Sequence, residues 1–225
     1  MRRFVLWDHD GVLVDTERWY FAATQECLSA LGVSLDQRTY LELMAAGRST
    51  WDLARQAGIP DQTIATGKHR RDALYQEFLR DKPIEIPGVL EVLEQVRKQC
   101  RMAVVSTARR ADLEVIHRNR NILGFFEFVL TFEDCSHAKP HPGPYLEGLR
   151  RFGAPAGEAI AVEDSSRGLQ SAMAAGLDCV VVRSDFTAGQ DFRRAWAVIP
   201  TIDHLPPLLA DRGPGAAADG PRERP

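Results

Sequence analysis

Residues 4–17 read Phe4-Val5-Leu6-Trp7-Asp8-His9-Asp10-Gly11-Val12-Leu13-Val14-Asp15-Thr16-Glu17. The first four are apolar, and three of them are β-branched or aromatic, which predicts a short buried strand. Two carboxylates one residue apart stop it, and Gly11 supplies a tight turn. An Asp-Gly pair alone is usually a turn. Its position directly after a buried strand makes it a candidate site, and the test is what the rest of the chain places beside it.

Working outward, residues from about Thr16 to Pro83 carry only helical signals. Ala23, Cys27, Leu28 and Leu31 recur at helical spacing, with Gly32 as a stop. Asp36 is placed to cap a helix carrying Tyr40, Leu43 and Met44, and Asp61 to cap a longer one through Ile64, Leu74 and Phe78. Pro83 and Pro87-Gly88 punctuate the end. After Gly88 the texture alternates between helix patterns and short apolar runs: 102–105, 128–130, 159–162 and 179–182. Such alternation predicts a parallel sheet covered on both faces. The fold class is α/β, a Rossmann-like parallel sheet with an inserted all-helical cap domain. The expected boundaries are 1–15 and 88–210 for the core, 16–87 for the cap and 211–225 for a disordered tail rich in Gly, Pro and Ala.

The chain has 225 residues, 28 Lys+Arg against 31 Asp+Glu, and so a net charge of −3, which argues against nucleic-acid binding driven by bulk positive charge. No run approaches the ~18 apolar residues of a membrane span, and no signal-peptide pattern follows Met1-Arg2-Arg3. Cys27, Cys100, Cys135 and Cys179 are widely spread without a C-x-x-C pair, which reads as reduced packing cysteines in a cytoplasmic protein.

Ligands of such sheets bind at the carboxyl ends of the strands. After Val105 come Ser106-Thr107, after Val162 come Glu163-Asp164-Ser165, and the loop beyond Leu130 carries Ala138-Lys139-Pro140. Acidic side chains at neighbouring strand ends repel unless a cation sits among them, and hard oxygen ligands with phosphate nearby suit Mg²⁺. Lys139 offers a point charge, and Ser106 and Thr107 offer hydroxyls at a helix start. A carboxylate nucleophile, a metal, a lysine and a hydroxyl/amide cradle make a phosphoryl-transfer site.

Asp8-x-Asp10-Gly11-Val12, Ser106-Thr107, Lys139-Pro140 and Glu163-Asp164-Ser165 resemble, in order, the four motifs of the haloacid dehalogenase-like superfamily. The run Asp10 to Glu17 resembles the branch containing beta-phosphoglucomutase and small sugar-phosphate phosphatases. The resemblance covers residues 4 to 205. It implies that Asp8 attacks phosphorus and that Asp10 protonates the leaving alcohol and then activates water. Mg²⁺ would be held by Asp8, the Asp10 carbonyl and Asp164, with Glu163 beside them. Gly11 would allow the turn, Ser106 and the Thr107 backbone would hold phosphoryl oxygens, and Lys139 would neutralise charge. Dehalogenase members lack the second aspartate, so Asp10 favours phosphate chemistry.

The helical insertion is expected to choose the substrate. Gly47-Arg48-Ser49 resembles the branch's specificity loop, and Arg48 is the candidate for a second anionic group. Tyr20 and Thr50 stand where the mutases carry a histidine and an arginine, so a phosphatase is favoured over a phosphomutase. A non-catalytic phospho-binding module is the third reading, and the intact Asp10 argues against it. The partner is a small phosphorylated metabolite, and the branch resemblance implies a monomer. His9 is expected to point away from the two aspartates if the strand alternates.

Overall fold

The computed structural model describes residues 2–210; the expected tail, 211–225, lies outside them. β1 (Phe4–Trp7) leads into a run of four helices: α1 (Glu17–Ser29), α2 (Gln37–Ala45), α3 (Asp52–Gln56) and α4 (Asp61–Asp81). Then α5 (Val89–Val96), β2 (Arg101–Val105), α6 (Arg110–His117), β3 (Val129–Leu130), α7 (Gly143–Phe152), β4 (Ala159–Glu163), α8 (Ser166–Ala174) and β5 (Asp178–Val182) alternate. β6 (Ala197–Ile199) and α9 (Leu205–Ala210) complete the described chain.

The strands form one parallel sheet in the order β3-β2-β1-β4-β5-β6. β1 is therefore central although it comes first, pairing Phe4–Trp7 with 101–104 on one side and 159–162 on the other. Alternate residues face opposite sides, as a strand requires. Val5, Trp7, Val104, Val162 and Val180 pack with α5 and α9; Phe4, Leu6, Val105, Ala161 and Val181 pack with α7 and α8. This two-sided burial explains why the strands read as unbroken apolar runs. β6 escaped the sequence reading because three residues are too few to show a period.

The helical insertion has its own apolar cluster, in which Leu28, Tyr40, Trp51 and Ile64 are buried together. Asp36 caps α2 by accepting from the Thr39 N–H at 2.7 Å, as the sequence predicts. Asp61 instead lies inside α4, whose cap position is Pro60. The two crossings between insertion and sheet lie side by side: the Asp15 N–H donates to the Ile84 carbonyl at 2.8 Å, and Val14 bridges Glu85. None of the helices among the described residues is long and apolar enough to cross a membrane.

Candidate active site

The parallel register brings the ends of β1, β2 and β4 level, so the residues that follow them converge. Asp8 leaves β1 with its N–H donating to the Val162 carbonyl at 2.8 Å. Its Oδ1 accepts from Lys139 Nζ at 2.7 Å. The same Nζ donates to Glu163 Oε1 at 2.7 Å and to the Val105 carbonyl at 2.8 Å. All three ammonium donors are thereby used. Glu163 Oε1 also accepts from the Tyr145 hydroxyl at 2.6 Å. Lys139, Glu163 and Asp164 are buried.

Two glycines make this packing possible. A Cβ on Gly11 would lie 2.0 Å from Asp164 Oδ2, and Gly11 also holds φ +84°, which favours glycine. A Cβ on Gly168 would lie 1.9 Å from Glu163 Oε2. The carboxylates therefore occupy the space that side chains at these two positions would fill.

Asp8, Glu163 and Asp164 each offer one carboxylate oxygen within 4.8 Å of the others. Three buried acids lie together, and the one lysine among them contacts only Asp8 and Glu163, which leaves negative charge uncompensated. Burial, reinforced by Glu163, pushes the Asp8 carboxyl up to about 7 against the pull of Lys139. Burial, then Asp8 and Glu163, push Asp164 well above the usual carboxylate range. An all-oxygen donor set with a charge deficit fits a hard divalent cation such as Mg²⁺. The Asp10 carboxylate is not in that group.

Asp10 instead turns toward the insertion. Its Oδ1 accepts a short hydrogen bond from the Thr16 hydroxyl, and its Oδ2 lies 3.4 Å from Ser106 Oγ and 3.2 Å from His9 Nδ1. Burial opposes ionisation, yet His9 and Thr16 hold this carboxyl down to about 2. His9 does not point away from both aspartates, since its Nδ1 meets the carboxylate of the adjacent Asp10. Its Nε2 sits 2.8 Å from His117 Nε2 on α6. Ser106 Oγ also accepts from the Ala108 N–H at 2.9 Å.

Two cavities with shared lining residues lie between insertion and sheet. The smaller, about 20 Å³, lies against Asp8, Asp10 and Asp164. The larger, about 130 Å³, is lined by Thr107, Tyr20, Arg71, Arg109 and Asp112 among others. Arg48 is exposed and lines neither cavity. Its loop does reach the site, since a Cβ on Gly47 would lie 3.2 Å from Pro140 Cδ, next to Lys139.

The residues that sequence reasoning missed come mostly from the insertion and α8. Arg71 is buried and donates to the Tyr20 hydroxyl at 2.6 Å. Its signal was a charged residue in phase with the buried Ile64, Tyr75 and Leu79 of α4. Glu17 accepts from the Tyr40 hydroxyl at 2.6 Å and lines both cavities. Arg167 lines both as well, and its signal was its place in the first turn after Asp164.

Residues 5–182 match the family model for haloacid dehalogenase-like hydrolases. The chain belongs to that family. Among relatives of this hydrolase, Protein CbbY of Rhodobacter capsulatus is 29% identical over 211 residues, covering 88% of this chain and 92% of that protein. The fructose-1-phosphate phosphatase YqaB of Escherichia coli is 27% identical, covering 80% and 95%. A crystal structure of a CbbY variant from Rhodobacter sphaeroides in complex with xylulose-(1,5)bisphosphate superposes with a TM-score of 0.78 at 25% identity, covering 91% of this chain and 96% of that one.

Proposed function

We propose that this phosphoric monoester hydrolase is Mg²⁺-dependent and acts on a small sugar phosphate through an aspartyl-phosphate on Asp8. The observation that carries the reading is Lys139 Nζ bridging Asp8 and Glu163 while Asp164 lies beside them against Gly11. The substrate class is supported by relatives named for fructose 1-phosphate and crystallised with xylulose bisphosphate.

When bound, Mg²⁺ would be held by Asp8, Asp164 and the Asp10 carbonyl, and would neutralise charge on the phosphoryl oxygens. The smaller cavity lies against Asp8 and Asp164, where the phosphoryl group would meet the nucleophile. Lys139 keeps one Asp8 oxygen fixed and leaves the other to form the bond to phosphorus as the ester P–O bond breaks. Asp10 gives its proton to the departing alkoxide, then takes one from the water that attacks phosphorus and frees Asp8. In the ligand-free geometry Asp10 is a carboxylate, set as a base. Dianionic phosphate nearby raises its pKa toward the acid role.

We take residues 16–87 as the cap that opens and closes over residues 1–15 and 88–210, with hinges at 14–16 and 83–88. Support comes from the separate apolar cluster of the insertion and the paired crossings at Asp15 and Ile84. A screen of phosphate esters with Mg²⁺, scored by released phosphate, tests the function. Release that persists in Asp8→Asn overturns the mechanism. Conversion of beta-glucose 1-phosphate to the 6-phosphate without phosphate release would replace it with a mutase.

A further inference from the structure

Three arginines line the cavity between insertion and sheet, and two are already committed. Arg71 donates to Asp72 at 2.7 Å and to Tyr20 at 2.6 Å. Arg109 forms a bidentate pair with Asp112, both contacts at 2.9 Å, and also pairs with Asp72. Arg167 differs. It makes no hydrogen bond or ion pair with the described residues, and the charges it feels, Glu17 foremost among the carboxylates, act through space. Glu17 itself is engaged by Tyr40.

A guanidinium carries five donors and a permanent charge. Leaving it without a partner in a part-closed cavity is costly unless a ligand supplies acceptors. Its position narrows what that ligand is. Arg167 lines the small cavity beside Asp8 and Asp164, where the reading above places the phosphoryl group, and the larger one that receives the rest of the molecule. The Lys139 ammonium, in contrast, has no donor left for a second group.

We propose that Arg167 selects the substrate by pairing with a second anionic group, carboxylate or phosphate, on the same small phosphate ester. This rests on the phosphatase reading and narrows its substrate class. The guanidinium fork suits bidentate pairing with either anion, so the proposal concerns specificity and not the bond-breaking step.

The test compares kcat/KM for wild type, Arg167→Met and Arg167→Lys with Mg²⁺. The esters are a sugar bisphosphate, 2-phosphoglycolate, glucose 6-phosphate and p-nitrophenyl phosphate. Charge-assisted hydrogen bonds of the usual strength predict that Arg167→Met loses roughly 10- to 100-fold on at least one doubly anionic ester. The loss falls mainly in KM, while p-nitrophenyl phosphate changes less than about threefold and Arg167→Lys recovers part of the loss. Which doubly anionic ester is affected tells carboxylate from phosphate. Equal losses on all four esters, or none on the doubly anionic pair, overturn the proposal while leaving the phosphatase reading intact. A wild type that releases phosphate from no ester overturns both. Circular dichroism melting of each variant identifies misfolding, and Arg167→Lys then decides by the same criteria.

Discussion

The strand-end cluster and the cluster between insertion and sheet are built of the same groups, yet they are balanced differently. At the strand ends, Asp8 and Glu163 share Lys139 with Asp164 beside them, and Asp8 and Asp164 are pushed upward in pKa by burial and mutual repulsion. Between insertion and sheet, Arg71 and Arg109 meet Asp72 and Asp112 one for one, with Gln76 donating to Asp112 at 3.0 Å. The second cluster is satisfied by the protein alone and ties α4 to the start of α6. The first is left short of positive charge, which is what a site for a cation and a phosphoryl group needs. On the proposed reading, the unbalanced buried cluster marks chemistry and the balanced one marks architecture.

The sharpest way to break that contrast is Asp8→Asn. It keeps the shape and removes the proposed nucleophile, so phosphate release drops by roughly 10⁴-fold or more. A variant with near wild-type turnover would make the strand-end cluster structural.

Gly168→Ala tests whether the acids must sit as they do. The new Cβ meets the Glu163 carboxylate, pinned by Lys139 and Tyr145, so overpacking costs about 1–3 kcal/mol. Activity falls further than stability if Glu163 is displaced, which paired melting and phosphate-release assays check.

Titration separates the clusters without mutation. Asp8, raised to about 7 in the folded protein from an ordinary 3.8, keeps its proton where the unfolded chain has lost it. Its contribution to stability therefore falls as pH rises through that interval. Mg²⁺ should raise Tm more at pH 8 than at pH 5. At roughly a hundredfold its Kd the gain is about 2.7 kcal/mol, or about 5–10 °C for a chain of this length. Equal shifts at both pH values would detach the acids from cation binding.

Arg109→Ala breaks the balanced cluster. It leaves Asp72 and Asp112 short of a partner at a partly exposed boundary, and costs about 1–2 kcal/mol of stability. Its Tm loss should be insensitive to Mg²⁺, unlike that of any strand-end variant. Tyr145→Phe is the smallest change. It removes one hydrogen bond to Glu163, for about 1 kcal/mol in thermal melting.

The α/β class and the residues following three strands were legible because each is a local pattern, whereas the central place of β1 came only from its pairing with β2 and β4. Apolar runs, turn residues and acids stand next to each other in the chain, and parallel pairing then makes the strand ends level. Asp8, Lys139, Glu163 and Asp164 were found together for that reason. What depended on folding was direction and partnership. His9 reaches Asp10 and His117 because a side chain at the end of a strand is no longer held to the strand's alternation. Arg48, picked from its loop, lies exposed, whereas Arg167 faces the cavity. An arginine's charge is visible in any sequence, but whether its donors are already spent depends on residues distant in the chain, as Tyr20 is from Arg71. Only the tertiary structure brings Asp72 to Arg109 and leaves Arg167 unclaimed among the described residues.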